Sequence, residues 1–332
     1  MTYDLPQEIQ QLVLSFALRP ALLSCSLTCS ALRDTAQRHL FRDVSIRLPD
    51  TGSTLGHTLT SSKRLRAFVQ RLHIVLEPVL PRTSYSSFPS LQNLVHLDIT
   101  GDNLQEPLDW TWLLGADWDA CKRDLFRMMC LPTLRTLRIY NIYEFPVDVL
   151  AVCGQLEELD VDGSELARGA DTDCELVRAM CPCTRGSLQS LCFSYYTFPL
   201  LVETLRRCPA SCMSLARLER LRLSIFDRDT EQAVREVLTM AAASLRHLEL
   251  CFEPYFQVSW DTLGLPDPSI LRQVTFYITE ADDCGNMNAF LEQMPRANNL
   301  ARVVVHLQCE CDEGALSRLG ELLGGAWLEV WA

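Results

Sequence analysis

Residues 218–250 read LERLRLSIFDRDTEQAVREVLTMAAASLRHLEL. The segment opens on Leu218-x-x-Leu221-x-Leu223 and closes on Leu245-x-x-Leu248-x-Leu250, the same string 27 residues later. Leucines alternating with Arg220 and Arg222, and later with His247 and Glu249, have the two-residue period of a strand with one apolar and one polar face. Between the two strings, Thr230–Ala243 (TEQAVREVLTMAAA) is a helix-like stretch. The segment therefore predicts strand, turn, helix and return to a parallel strand. One such unit cannot bury its apolar face, whereas stacked copies share a continuous core.

The string recurs along the whole chain. It starts at Phe41, Val69, Leu94, Leu134, Leu156, Leu188, Leu218, Leu245, Leu271 and Leu300, at spacings of 28, 25, 40, 22, 32, 30, 27, 26 and 29 residues. Phe198–Cys208 and Asn286–Met294 are further helix-like connections. One or two such strings arise by chance in a leucine-rich chain, but ten at near-regular spacing define an architecture. The pattern resembles leucine-rich repeats, whose period is about 20–29 residues. That family's Asn or Cys after the strand is replaced here by Asp102, Ile142, Ser164, Tyr196, Phe226 and Glu253, so the resemblance implies an irregular array.

Outward to the N-terminus, residues 4–48 read DLPQEIQQLVLSFALRPALLSCSLTCSALRDTAQRHLFRDVSIRL. Pro6 and Glu8 suit the first turn of a helix, where a missing N–H costs little and an acid faces the positive dipole end. Ile9, Leu12, Val13 and Phe16 follow at helical spacing, and Arg19-Pro20 ends that helix. A second apolar segment lies around Leu22, Leu23 and Leu27, and a third runs from Ser30, as N-cap, to Leu40. A bundle this small cannot bury all of Leu5, Ile9, Leu12, Val13, Leu14 and Phe16, so an external apolar partner is expected.

Leu5-Pro6, Glu8-Ile9, Leu12-Val13-Leu14, Cys25-Ser26-Leu27-Thr28-Cys29 and His39-Leu40-Phe41-Arg42 together resemble an F-box of the form common in fungal proteins. Leu32 stands where many members carry a tryptophan. The resemblance implies docking to a Skp-type adaptor, and through it to a cullin, by way of Leu5, Pro6, Ile9 and Val13. The expected fold class is α/β: a three-helix F-box module over 1–48, then an irregular leucine-rich-repeat solenoid over 49–332 with a parallel sheet on its concave face. Phe41–Ile46 closes the first module and opens the first strand, which leaves no linker between them.

The polar residues between the strand leucines define a candidate surface for an unidentified protein substrate. Its members include Arg71, His73, His96, Asp98, Thr136, Arg138, Tyr140, Glu158, Asp160, Asp162, Ser190, Cys192 and Ser194. Arg220, Arg222, His247, Glu249, Thr275, Tyr277, Arg302 and His306 continue it. Glu158, Asp160 and Asp162 read as an acidic patch, and Arg220 with Arg222 as a basic one. Trp110, Trp112 and Trp118 occupy the longest gap between strings and are expected to fill core.

Composition sets the outer limits. A net charge of −12 argues against nucleic acid or an anionic membrane as the main ligand. There is no apolar run of about eighteen residues, so no membrane span is expected. MTYDLPQEIQ lacks the order of a signal peptide, which makes the fifteen cysteines reduced thiols in the cytoplasm and/or nucleus. Cys181/Cys183, Cys208/Cys212 and Cys309/Cys311 lack zinc-ligand spacing, and no phosphate, dinucleotide or nucleophile-elbow motif occurs. No metal, cofactor or catalytic residue is expected. Two readings remain: a ubiquitin-ligase substrate adaptor, or a repeat scaffold or regulatory binder unrelated to ubiquitination.

Overall fold

The computed structural model describes residues 6–48, 54–77, 90–102, 107–113, 116–151, 153–169, 186–194, 196–207, 213–252, 270–279, 283–293, 300–307 and 327–331. The chain divides into two compact units, Met1–Leu137 and Arg138–Ala332.

The first unit begins with three helices, α1 (Gln7–Ser15), α2 (Arg19–Thr28) and α3 (Ser30–Leu40). Pro6 precedes α1 as its cap, Glu8 lies in its first turn, and Pro20 occupies the first turn of α2. Ser30 is the first helical residue of α3 rather than its N-cap. Cys29 holds that place, in extended backbone and with no side-chain cap bond. α1 and α2 both pack on α3, around a core of Leu14, Leu22, Ala36 and Leu40. Leu32, partly buried, packs against that core.

Strand β1 (Asp43–Leu48) follows α3 almost directly and pairs in parallel with β2 (Arg71–Leu76), which pairs in parallel with β3 (His96–Gly101). Helices α4 (Thr54–Ser61) and α5 (Lys63–Arg66) lie between β1 and β2. The helical module is tied to α5: Arg64 ion-pairs with Asp34 and donates to Gln37 at 3.1 Å, and the Arg38 guanidinium lies 5.4 Å from the Phe68 ring centre. Helix α6 (Ala116–Met129) completes the unit, with Trp110 stacked on Phe126 at 5.9 Å. Trp110 and Trp118 are buried as core, but Trp112 is 68% exposed, so the expectation for the three tryptophans holds for two.

Strand β4 (Thr136–Tyr140) carries the chain into the second unit. There β5 (Glu158–Asp162), β6 (Ser190–Phe193), β7 (Arg220–Ile225), β8 (His247–Phe252), β9 (Gln273–Ile278), β10 (Arg302–Leu307) and β11 (Trp327–Trp331) lie side by side, each parallel to the next. Register follows the sequence string: Leu159, Leu191, Leu221, Leu248, Val274 and Val303 align, as do Val161, Phe193, Leu223, Leu250, Phe276 and Val305. Every side chain in both rows is buried. Helices α7 (Val147–Ala151), α8 (Phe198–Arg207), α9 (Arg228–Met240) and α10 (Asp283–Gln293) come between strands.

A repeated backbone device joins the strands. The carbonyl just before one strand accepts two successive N–H groups from the next. Glu157 serves Gln189 and Ser190, Gln189 serves Glu219 and Arg220, Glu219 serves Arg246 and His247, and Arg246 serves Arg272 and Gln273. Arg42 and Gln70 do the same in the first unit. Such bonds satisfy backbone groups that would otherwise be stranded at the strand entrance.

Turn chemistry after the strands is individual. Ser164, at one of the positions lacking the repeat family's asparagine, is fully buried, accepts from the Ile142 N–H at 3.0 Å, and donates toward the Ile139 and Asp162 carbonyls. Gly163 beside it has φ +57°, a left-handed conformation that glycine takes without steric cost.

Helix α9 begins two residues earlier than the expected Thr230 and ends at Met240 rather than Ala243. Its start is set by Asp227, whose carboxylate accepts from both the backbone N–H and the hydroxyl of Thr230 at 2.7 Å. Asp227→Ala is expected to cost about 1 kcal/mol, the usual worth of an N-cap, read as a fall of roughly 2–4 °C in the melting temperature.

Candidate docking and recognition surfaces

In the N-terminal module the apolar residues divide by face. Leu14 and Leu22 point inward, while Ile9, Leu12, Val13, Phe16, Leu18, Leu23 and Leu27 are exposed, Phe16 at 80% and Leu27 at 77%. Ile9, Leu12 and Val13 of α1 and Phe16 at its C-cap recur at intervals of three and four, so they form one stripe opposite Leu14. On α2, Leu23 and Leu27 form a second exposed pair, while Leu22 and Ser26 are buried. Seven large apolar side chains exposed on α1, α2 and the turn between them exceed the scattered exposure that any soluble surface shows.

Of the four residues proposed to dock an adaptor, Pro6, Ile9 and Val13 are exposed and Leu5 lies outside the described residues. Leu23 and Leu27 extend that surface beyond the four residues expected from the sequence. Their separation of four, beside buried Leu22 and Ser26, is the signal that finds them.

The second surface is the open face of the strands in the second unit. Arg138, Tyr140, Glu158, Asp160, Asp162, Arg220, Arg222, His247 and Glu249 all lie on it, each half-buried or exposed. Thr136 and Thr275, read from the sequence as part of this face, are buried instead. The expected acidic and basic patches are not separate fields. Arg220 reaches across β6 to donate to Glu158 at 2.6 Å, and Arg138 lies 3.9 Å from Asp160. Arg222 lies 3.9 Å from Glu249 and stacks over the Tyr277 ring at 5.0 Å. Tyr277 in turn stacks on His306, with centroids 4.7 Å apart and ring planes nearly parallel, and its hydroxyl donates to Glu249 at 3.4 Å.

Around β5 the Tyr140 hydroxyl donates to Asp160 at 2.7 Å, and the Ser194 hydroxyl donates to Asp162. The thiol of Cys192 is held protonated, its pKa pushed up by burial first and by neighbouring Asp160 next. Burial, then Arg220, lowers the pKa of His247, favouring its neutral form. Tyr277 is shifted upward by burial and by Glu249. These shifts describe a packed polar layer in which thiol and phenol stay neutral near pH 7. A nucleophile would need the opposite shift.

In the first unit, Arg71 and Asp43 lie 3.7 Å apart, and His73 sits between the hydroxyls of Ser45 at 3.3 Å and Thr100 at 3.2 Å. Arg47 binds both Glu77 and Asp102. Among the described residues no group of three or more His, Cys, Asp or Glu side chains is placed to hold a metal, and no disulfide forms. The close cysteine pairs at 181/183, 208/212 and 309/311 lie outside the described residues. Among the described residues no helix is long and apolar enough to cross a membrane.

Compared with known families, residues 2–47 match the F-box-like family. No curated protein matches the sequence significantly. The match spans the three-helix module whose apolar side chains stand exposed on α1 and α2. The chain thus carries an F-box-like domain over residues 2–47.

Proposed function

We propose that this protein is a substrate-recognition adaptor of an SCF-type cullin–RING ubiquitin ligase. The F-box-like module, residues 1–48, docks a Skp-type adaptor and through it a cullin, while residues 49–332 act as an irregular leucine-rich-repeat receptor for a protein substrate. The observation that carries this reading is the exposed apolar stripe of α1 with Leu23 and Leu27 of α2, inside the segment that matches the F-box-like family. Such a surface suits the helix-in-groove mode of recognition, in which spaced apolar side chains bury against a partner. Pro6, Ile9 and Val13 belong to it, and Leu5 precedes them in sequence.

The chain performs no chemistry in this role. It raises the effective concentration of substrate beside a ligase assembled elsewhere. It works in the cytoplasm and/or nucleus, where Skp-type adaptors operate. The open strand face, with Arg138, Tyr140, Glu158, Asp160, Asp162, Arg220, Arg222, His247 and Glu249, is the substrate-binding candidate. Co-expression of the full chain with a Skp-type adaptor should give a stoichiometric complex by gel filtration. If the two proteins elute separately at micromolar concentration, the chain is a repeat scaffold outside the ubiquitin pathway.

A further inference from the structure

Two thiols stand one helical turn apart where α2 gives way to α3. Cys25 and Cys29 are the only cysteines in residues 1–48, and both are free and half-buried, so neither is sealed from solvent. The Cys29 N–H donates to the Cys25 carbonyl at 3.2 Å, a helical bond that carries the turn through both residues. Side chains four apart on a helix lie on one face, with Cβ atoms about 5–6 Å apart. A disulfide needs about 3.5–4.5 Å between those atoms, so these neighbours bond only if the turn tightens.

Several features make this turn adjustable. Cys29 ends α2 and precedes α3 in extended backbone, φ −120° and ψ 108°, with no side-chain cap bond. The hydroxyls of Ser26 and Thr28 donate back to the carbonyls of Leu23 and Ser24, at 2.8 and 2.6 Å, in competition with the helix's own ladder. Serine, threonine and cysteine are also weaker helix formers than leucine. Cys25 is anchored against the module's core, whereas Cys29 belongs to the junction. Between the two thiols lies Leu27, which with Leu23 forms the exposed apolar pair of α2.

We propose that Cys25 and Cys29 are a redox modification site, where hydrogen peroxide closes a reversible disulfide that tightens the last turn of α2, displaces Leu27 and weakens adaptor docking. The Cys29 thiolate attacks one peroxide oxygen and breaks the O–O bond, giving a sulfenic acid and, with a proton, water. The Cys25 thiolate then attacks that sulfur, and the hydroxyl group leaves with a second proton as another water. In sum two thiols lose two electrons and two protons, and one peroxide becomes two waters. A disulfide closed against the geometry of its turn is readily reduced, which suits a transient signal in a reducing compartment. The effect on docking rests on reading this surface as the adaptor site; the disulfide itself does not.

The test exposes the reduced full-length chain to hydrogen peroxide, labels remaining thiols with N-ethylmaleimide, and maps tryptic peptides by mass. Because Pro20 follows Arg19, Cys25 and Cys29 share the peptide that ends at Arg33, which holds no other cysteine. That peptide is expected unlabelled and lighter by two hydrogens, and should take two labels after dithiothreitol. Calorimetric titration with purified adaptor should show affinity about tenfold lower for the oxidised chain, recovered on reduction. Cys29→Ser should keep full affinity with and without peroxide, since serine is a preferred N-cap and keeps the module folded, and Cys25→Ser should match it. If the peptide takes two labels after peroxide, or gains oxygen without losing hydrogen, the disulfide is overturned. An equal fall in affinity for oxidised Cys29→Ser would assign the response to other residues and overturn the switch. A disulfide with unchanged affinity would overturn the switch and keep the modification site. If the reduced chain does not bind the adaptor, the docking reading fails and the switch with it, while the peptide map judges the disulfide on its own.

Discussion

The double variant Ile9→Glu, Val13→Glu is expected to lose the Skp-type adaptor while keeping its fold. Both side chains are exposed on the same stripe of α1, so neither substitution removes core contacts. Glutamate is a better helix former than isoleucine or valine, and the like-charge pair it creates four residues apart costs only about 0.2–0.5 kcal/mol. At an apolar interface the effect is large, because two charges must be desolvated where two apolar anchors were buried. Losses of 2 kcal/mol or more are typical for one anchor, so the pair should weaken binding at least about 100-fold. The measurement is calorimetric titration with purified adaptor, beside circular dichroism and a thermal melt that stay close to wild type. Leu14→Glu is the contrasting variant. Leu14 is buried with Leu22, Ala36 and Leu40, and a charge there should unfold the helical module. If the double variant binds as wild type does, docking does not use α1.

What the sequence disclosed about this fold, and what it concealed, follows from how each feature is encoded. The first ten strands were legible because each packs two alternate side chains of a fixed string inward, and the register sets those same residues side by side: Leu221 with Leu248, and Leu248 with Val274. The eleventh, Trp327–Trp331, escaped because the register that aligns Leu328 with Val303 puts Gly325 where the string needs its first apolar residue. The start of α9 was missed although Asp227 and Thr230 are three apart, a capping signal readable without coordinates. Thr136 and Thr275 were misassigned because alternation fixes which face a residue points to, not how deeply its neighbours cover it. The site was less legible than the fold. Charges at 158–162 and 220–222 look like separate patches in one dimension, and only parallel pairing through β6 lets Arg220 meet Glu158. In the N-terminal module, burial separates Leu22 from Leu23, a distinction that depends on where α3 lies.

Phe276→Ala should be the most damaging single truncation in the second unit. Phe276 is fully buried on β9, stacked on Phe252 at 6.3 Å from β8 and meeting Phe290 of α10 edge-on at 5.4 Å. It therefore binds two neighbouring strands and a connecting helix into one cluster. Removing a buried phenyl ring costs about 3–5 kcal/mol, and each lost ring pair adds about 0.5–1.5 kcal/mol beyond its area, which places this site near the upper end. Domains of ordinary size are stable by only about 5–15 kcal/mol, so most of the margin is at stake. For a unit this large the expected fall in melting temperature is roughly 10–20 °C. Because strands in a parallel stack are supported by their nearest neighbours, amides of β8, β9 and β10 should lose hydrogen-exchange protection before those of β5 and β6. Phe276→Leu, which keeps most of the volume, should lower the melting temperature much less. A fall under about 3 °C for the alanine variant, or loss of protection spread evenly over the unit, would show that the Phe252–Phe276–Phe290 cluster does not hold these strands together.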